Sequence, residues 1–562
     1  MIGRDFKFRE GQLQAVKFTV DNAMSGLKHT LLEAPTGSGK SMIALIAAYV
    51  LWKVYEKKSY ILVSDLSLYA QYENDIAKLK QHCFGCIKGK ENYTCWKNGC
   101  NVSQAQCALQ GLGVKAVMYK DRWPCRSQCR YMLDYIKAVH APITLMTYQL
   151  YFIQRNYVED ALFNGKNTNF PARDLVICDE CHKICEICQS HFAPTISMKR
   201  PAWMTTLDKW SHSASNETAR LRIVMNMTLC DTNDELIELV KRYEQYVATY
   251  TFMNNEARKS FASKSKLSKL ERAVLAAGNR ARQENCKLND FLAFIEEVGS
   301  SEYAVLTTVD GTLTLNFVFD NIMLKKYLHS KSGCEMLMSA TIGDFNEYAK
   351  LSGCDKKQCK AFVMNSTFDF SRSPVMFSNC NKMSYAEKDK AIVKISKQAA
   401  EICKQHSNER GIVQTGSYAN LEMFANSLPE ETSKRLIVYK NAAEKKIALA
   451  EFMERGNDAN DNSILAGPTL IEGLNFPDSL CRFQICIKVP YACLGSEYVK
   501  RKMAYVDGWY EYDVINKLCQ GIGRGVRHKT DWCKTYILDG CISKLVHKLD
   551  RISALHGRFK EI

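Results

Sequence analysis

The stretch HTLLEAPTGSGKS, residues 29–41, constrains this chain more than any other. A short β-prone run, Thr30 to Leu32, enters a Gly-rich turn, and the apolar run MIALIAAYVLW (42–52) leaves it as a helix. Strand, Gly-rich turn and helix in that order form a phosphate-binding loop: backbone N–H groups close around phosphate oxygens, and the helix N-terminus adds its dipole. Gly37 and Gly39 permit that closure, with Thr36 and Ser38 completing the loop. Lys40 would reach the β- and γ-phosphates of a nucleotide, and the Ser41 hydroxyl would ligate Mg²⁺. Ala34 stands where the general pattern has its first glycine.

A loop of this kind needs acids to hold the metal and activate water. RDLVICDECH (173–182) has that form: Leu175–Cys178 reads as a buried strand, and Asp179 and Glu180 emerge at its end. Asp179 would hold Mg²⁺, Glu180 would polarise or deprotonate the hydrolytic water, and His182 would sense the γ-phosphate. Three further islands follow. EMLMSATIG (335–343) is an apolar strand ending in Ser339-Ala340-Thr341, and LAGPTLIEGLNFPD (465–478) carries Glu472 and Gly473 in a turn. QGIGRGVRHKTDWCKTYILD (520–539) spaces Gln520, Gly523, Arg524 and Arg527 along one stretch. The two arginines are candidates for a finger that neutralises charge on the γ-phosphate.

Composition narrows the setting. With 46% hydrophobic and 24% charged residues and only 11 prolines, the chain is a folded globular one. Its 562 residues suffice for roughly three to five domains. Lys and Arg outnumber Asp and Glu by 76 to 60, a formal charge of +16 that favours a polyanionic partner such as nucleic acid. The N-terminal MIGRDFKFREGQ lacks a signal peptide's apolar core, and residues 42–52 are the longest apolar run. That run is far short of the roughly 18–20 residues that cross a bilayer. The expectation is therefore a reducing interior, no membrane, and thiols that bind metal or fill the core rather than pair.

APTGSGKS, DECH, MSATI, EGLNF and QGIGRGVR, in this order, resemble the motifs of a superfamily 2 helicase of the DinG/XPD family, here a compact member of phage or bacterial type. FREGQLQAV (8–16), with Gln12, is similar to the family's adenine-reading element. YILVSDLSLYAQ (60–71) occupies the place of its next DNA-contacting motif, with an unusual Asp65. The resemblance runs from Phe8 to Asp539. It implies an α/β fold with two RecA-like domains, an iron–sulfur insertion and a mainly helical arch insertion. The expected boundaries are 1–79, 131–185 and 321–344 for the first RecA-like domain, 80–130 for the iron–sulfur domain, 186–320 for the arch and 345–562 for the second RecA-like domain. The implied activity is ATP- and Mg²⁺-driven 5′→3′ movement on single-stranded DNA, with tailed or forked duplex as substrate. The preference for DNA over RNA rests on the family alone. A cytoplasmic monomer is expected, in the host cytoplasm if the chain is phage-encoded. Where the family usually has an acid after Glu-Gly-hydrophobe, this chain has Asn475, which removes a charge from the coupling of hydrolysis to stepping.

Seven of the 24 cysteines fall within 47 residues: Cys83, Cys86, Cys95, Cys100, Cys107, Cys125 and Cys129. The family's insertion carries four cysteines that ligate a [4Fe–4S] cluster. KGKENYTC is similar to its entry segment and nominates Cys95; CRSQCRYMLDYIKAVHAPITLMTYQLYF is similar to its exit and nominates Cys125 and Cys129. Pro124 suits a first helical turn, and positions i and i+4 would then share one helix face. Cys107 in SQAQC is the preferred fourth ligand, with Cys100 the alternative. Four thiolates can equally hold zinc, and the spacing is not a ferredoxin pattern, so the cluster's identity rests on the resemblance. Cys83 and Cys86 precede the entry segment and read as bystanders. CDECHKICEIC (178–188) also mimics a zinc pattern. Gathering its four thiols would pull Asp179 and Glu180 out of position, so Cys185 and Cys188 read as ordinary helix residues.

Residues from about Glu186 to Asp320 hold no helicase motif, and TNDELIELVKRYEQYVATYTF (232–252) has the spacing of an amphipathic helix. Between Arg258 and Lys287 lie nine Lys or Arg against two Glu, a stretch suited either to a phosphate backbone or to a solvated helix face. Tyr93, Trp96 and Trp123 are candidates for base stacking, and Thr415 and Ser417 for contacts to strand phosphates. Two other readings share these residues: a DNA-stimulated translocase that remodels complexes without unwinding, and a redox-responsive nucleic-acid binder.

Overall fold

A computed structural model describes residues 7–35, 37–110, 128–158, 162–163, 166–167, 169–212, 217–264, 266–365, 370–470, 476–523, 525–526 and 530–562. Thr36, Trp123, Pro124, Cys125, Glu472, Gly473, Asn475, Arg524 and Arg527 lie outside these described residues.

Two seven-stranded parallel sheets organise the chain. The first is built from β1 (His29–Glu33), β2 (Ser59–Val63), β3 (Phe84–Cys86), β4 (Ile143–Thr147), β5 (Arg173–Asp179), β6 (Ser332–Ser339) and β7 (Cys359–Val363), in the spatial order β7-β1-β6-β5-β2-β4-β3. Both faces of such a sheet must be covered, and its strands read accordingly as near-continuous apolar runs. β1 and β2 are buried at every position. Helices α1 (Gln12–Met24), α2 (Lys40–Tyr55) and α3 (Leu66–Leu79) follow in chain order. α2 is apolar on nearly all sides because it is sandwiched against the sheet, with Ile43, Ala44, Leu45, Ala47 and Ala48 fully buried. α3 shows a narrower buried stripe of Tyr69, Tyr72 and Ile76.

The second sheet comprises β8 (Val375–Phe377), β9 (Gly411–Gln414), β10 (Leu436–Val438), β11 (Ile464–Gly467), β12 (Phe483–Cys486), β13 (Lys534–Ile537) and β14 (Phe559–Glu561), in the order β10-β11-β9-β12-β13-β8-β14. Residues 345–363 correct the expected boundary of the second domain at Phe345. β7 pairs with β1 over His29↔Cys359 to Glu33↔Val363, so the chain completes the first sheet before it crosses. β3 likewise belongs to that sheet and not to the cysteine-rich insertion, because it pairs with β4. Cys83 thus precedes an edge strand and Cys86 ends it.

Between β5 and β6 the chain leaves the sheet. It forms a small antiparallel sheet (Thr195–Ser197, Thr312–Phe317, Ala304–Val309) and a helical projection dominated by the helices Asn233–Phe261 and Lys269–Val298. The second long helix starts in a capping box, Ser268 with Glu271, and stops at Gly299, whose φ of +69° ends the turn.

Candidate active site

The carboxyl ends of β1, β5 and β6 meet in one place, and each delivers an expected motif there. After β1 the chain turns through Gly37 and Gly39, both at positive φ (79° and 81°), and Gly39 caps the start of α2. A Cβ on Gly39 would sit 2.4 Å from Gln12 Nε2, so the loop is drawn tightly over that amide. Gln12 donates from Nε2 to the Ser38 carbonyl at 2.7 Å and accepts at Oε1 from the Arg9 N–H at 2.8 Å, while the Arg9 guanidinium donates to the Gly37 carbonyl. The expected adenine reader therefore also braces the phosphate loop.

At the end of β5, Asp179 is almost fully buried. Its Oδ2 accepts from the Tyr72 hydroxyl at 2.8 Å, and its Oδ1 from the Glu180 N–H at 2.8 Å. Burial, reinforced by the Glu180 carboxylate, pushes the Asp179 carboxyl up to about 7 against the opposing pull of Lys40. Lys40 Nζ lies 3.9 Å from Glu180 Oε1. Glu180 adopts φ +52°, a left-handed conformation that costs a non-glycine residue of order 1–3 kcal/mol. That turn lifts its carboxylate off the strand axis toward Lys40 and His182. His182 Nδ1 lies 3.3 Å from Glu180 Oε2 and 2.8 Å from Ser339 Oγ at the end of β6. Ser339 Oγ in turn accepts from the Thr341 N–H at 3.3 Å, and Gln520 Nε2 donates to Thr341 Oγ1 at 2.9 Å. Lys40, Asp179, Glu180, His182 and Gln520, far apart in sequence, thus stand in one connected site between the two sheets.

Sequence reasoning missed several participants. Tyr72 and Asp75 reach the site from α3: Ser41 Oγ donates to Asp75 Oδ2 at 2.8 Å. Their signal was an acid and a tyrosine three residues apart on the otherwise apolar stripe of an amphipathic helix. Glu33, the last residue of β1, accepts at Oε2 from the N–H groups of Ile342 and Gly343 at 2.7 and 3.1 Å. Burial raises the Glu33 carboxyl, only partly offset by these bonds. Tyr512 donates to the Ile342 carbonyl at 2.7 Å, so the segment after Thr341 is held from both domains. A buried pair also crosses between them: Lys502 Nζ lies 2.5 Å from Asp320 Oδ2 and donates to Tyr498 OH at 2.8 Å. Thr415 corrects an expectation. It is fully buried, and its hydroxyl donates to the Ser417 carbonyl while Ser417 caps the helix Tyr418–Asn426, so these two side chains serve the turn.

The donor set suits a nucleotide with Mg²⁺: Lys40 for phosphate, Ser41 and Asp179 as oxygen ligands, and a loop whose glycines leave no side chain in the cradle. The cysteine-rich segment tells a comparable story. Thr94 bridges Asn101, and the Cys95 N–H donates to the Cys100 carbonyl at 2.6 Å, making a tight turn that brings Cys95 and Cys100 side by side. Tyr93 packs edge-on against Tyr131 at 5.3 Å, and Lys90 lies over the same Tyr131 ring at 5.8 Å. Lys90 also feels the Cys107 thiol. Cys95, Cys107 and Cys129 pack in the same hydrophobic core as Tyr93 and Tyr131, Cys95 and Cys129 buried and Cys107 half-buried. No disulfide joins any of the described cysteines. Cys95, Cys107 and Cys129 do not approach mutually within 4.8 Å. One zinc ion would bring its thiolates to about 3.8 Å from each other, closer than these three lie. Cys129 is the N-cap of the helix Arg130–His140, while Cys125, its expected partner at i, i+4, lies outside the described residues.

Nor do Cys178, Cys181, Cys185 and Cys188 assemble. Among the described residues, the only group of three ligand-type side chains with atoms within 4.8 Å is His29, His329 and Glu335. That trio sits at the opposite end of β1 and β6 from the phosphate loop. Gln106 and Gln110 of the cysteine-rich segment hydrogen-bond the Phe261 and Lys264 carbonyls at the tip of the long helical hairpin, at 2.8 to 3.2 Å. The two insertions therefore touch. Tyr93 is spent on packing with Tyr131, while Trp96 is exposed.

Residues 5–200 match the family described as type III restriction enzyme, res subunit, and residues 399–549 match the helicase C-terminal domain. Among curated proteins, ATP-dependent DNA helicase CHL1 of Debaryomyces hansenii is 19% identical over 447 residues, covering 68% of this chain and 54% of the relative. ATP-dependent DNA helicase DDX11 of Danio rerio is 27% identical over 114 residues, 17% of this chain and 13% of that one. The chain spans about half the length, or less, of these curated relatives. A solved XPD helicase has a TM-score of 0.60 at 14% identity, covering 99% of this chain and 100% of that one. A second XPD structure, an apo form, gives 0.54 at 15% identity, over 98% and 99%. The likeness shows the fold, two RecA-like domains. In fold and in its matched segments the chain is similar to the XPD/DinG-like group of superfamily 2 helicases.

Proposed function

We propose that this chain is an ATP-dependent DNA helicase that moves 5′→3′ on single-stranded DNA and hydrolyses ATP between its two RecA-like domains. The observation that carries this reading is the relay Glu180–His182–Ser339–Thr341–Gln520, which joins the water-activating acid to the opposite domain through ion-pair and hydrogen-bond contacts, one of them through the Thr341 backbone N–H. A change at the γ-phosphate felt by Glu180 and His182 is thereby passed to the helix that carries Gln520. Lys40 and the loop of residues 36–39 bind the phosphates, Gln12 reads the base, and Glu180 polarises the attacking water. Arg524 and Arg527 neutralise the charge on the γ-phosphate, and Glu472 and Gly473 approach the nucleotide from the second domain. Ser41 and Asp179 hold Mg²⁺, which supplies charge neutralisation at the phosphates when bound.

Cys95, Cys107, Cys125 and Cys129 are the residues that would hold a [4Fe–4S] cluster, which would supply a rigid cross-link for the insertion. The contact between Gln106, Gln110 and the helical hairpin supports a guide that admits one strand and excludes two. Strand separation by anaerobically purified protein tests the reading, with duplexes carrying either a 5′ or a 3′ single-stranded tail. Unwinding from the 5′ tail alone is expected. ATP hydrolysis stimulated by single strands with no unwinding from either tail would refute the helicase and favour a translocase.

A further inference from the structure

We infer that helix α3 belongs to the metal site, with Tyr72 and Asp75 as positioning residues that orient Asp179 and Ser41 for Mg²⁺; this rests on the reading that Ser41 and Asp179 are the protein's metal ligands.

A serine hydroxyl has one proton and two lone pairs, and it can ligate a cation only when the proton points elsewhere. Asp75 gives that proton its place: Ser41 Oγ donates to Asp75 Oδ2 at 2.8 Å, leaving the lone pairs free to face the phosphate loop. Tyr72 does the complementary task for the acid. Its hydroxyl donates to Asp179 Oδ2 at 2.8 Å, and with the Glu180 N–H on Oδ1 it fixes the carboxylate plane. Tyr72 is fully buried, so this bond has no competition from water. The two residues stand three apart, on adjacent positions of one helical face, which is why a single rigid element can hold both ligands at once.

The helix is itself anchored from its other side. Lys88 at the entry of the cysteine-rich segment pairs with Glu73 at 3.0 Å and lies over the Tyr69 ring at 4.7 Å. At its start, Asp65 caps the helix by accepting from the Ser67 and Leu68 N–H groups at 3.0 and 2.9 Å. This gives the unusual Asp65 a local duty, fixing where α3 starts. Partners of this kind around a metal ligand commonly change metal affinity by about 10–100-fold when removed.

The test uses the full chain with Asp75→Asn and Tyr72→Phe, each of which keeps side-chain volume. A fluorescent ATP analogue is titrated with Mg²⁺ and, separately, bound in EDTA; urea midpoints report folding. The expected result is a half-saturating Mg²⁺ concentration raised about 10–100-fold in each variant, with metal-free nucleotide binding within about twofold and urea midpoints close to the parent. Metal dependence unchanged in both folded variants overturns the inference while leaving Ser41 and Asp179 as ligands. Equal losses with and without metal also overturn it, because α3 would then merely prop up the phosphate loop. If the parent protein itself shows no metal-dependent tightening, the reading of Ser41 and Asp179 falls, and this inference with it.

Discussion

Glu335→Gln is the most informative perturbation of the fold, because it removes one charge and almost no volume. Glu335 stands within β6, opposite His29 in register, and is 1% exposed. Its Oε2 accepts from His29 Nδ1 at 3.1 Å and His329 Nδ1 at 2.7 Å, and its Oε1 accepts from the Ser332 hydroxyl at 2.5 Å. His329 Nε2 lies 2.9 Å from the Ser352 carbonyl, so both ring nitrogens donate and the ring is an imidazolium. Burial alone would lower the pKa of His329, but the adjacent Glu335 carboxylate outweighs it and raises it from 6.5. Burial would likewise raise Glu335, and His329 and His29 outweigh that, holding it well below its ordinary 4.5. The signs then follow. The histidine's stabilisation is complete below pH 6.5 and is lost as pH rises through its raised folded value. The glutamate's is complete above pH 4.5 and is lost as pH falls toward its lowered value. The pair stabilises most between those limits. Glutamine would strand a buried imidazolium, a loss of about 3–5 kcal/mol. Urea unfolding at pH 6 and pH 8 should show the larger deficit at pH 6, since His329 sheds its proton more cheaply at the higher pH. A deficit below about 1 kcal/mol at pH 6, or one that grows with pH, would refute the ionic reading.

Two further outcomes follow from the geometry. Cys129→Ser should abolish unwinding and the visible absorbance of an iron–sulfur centre while leaving much of the ATP hydrolysis, because in the proposed function the cysteine set serves strand separation and not the phosphate site; full unwinding by a cluster-free variant would contradict that role. Asp320→Asn should destabilise the contact between the domains by about 3–5 kcal/mol, since Lys502 would be left charged and buried, and limited proteolysis between residues 365 and 410 should accelerate.

The part of the site that could be read in the sequence is the part that is contiguous. Gly37, Gly39, Lys40 and Ser41 lie within five residues, and a Gly-rich turn entering a helix sets their relative positions through the backbone alone. Asp179 and Glu180 at the end of an apolar strand are local in the same sense, and the order of the motifs was enough to expect two α/β domains. The tertiary structure decided what depends on register between distant segments. Tyr72 meets Asp179 across 107 residues, and Glu335 meets His29 across 306, only because β5 and β6 lie beside β2 and β1 in one particular order. Periodicity alone could not place the second domain's start, because β7 completes the first sheet by pairing along an edge that no local pattern announces. The same limit explains Thr415, which looked like a phosphate contact and is a buried turn residue, and CDECHKICEIC, whose thiols look like ligands in one dimension. A strand sends Cys178 into the core while the turn at Glu180 and the helix beyond carry the others away, so spacing suggested a metal site that three-dimensional packing disperses.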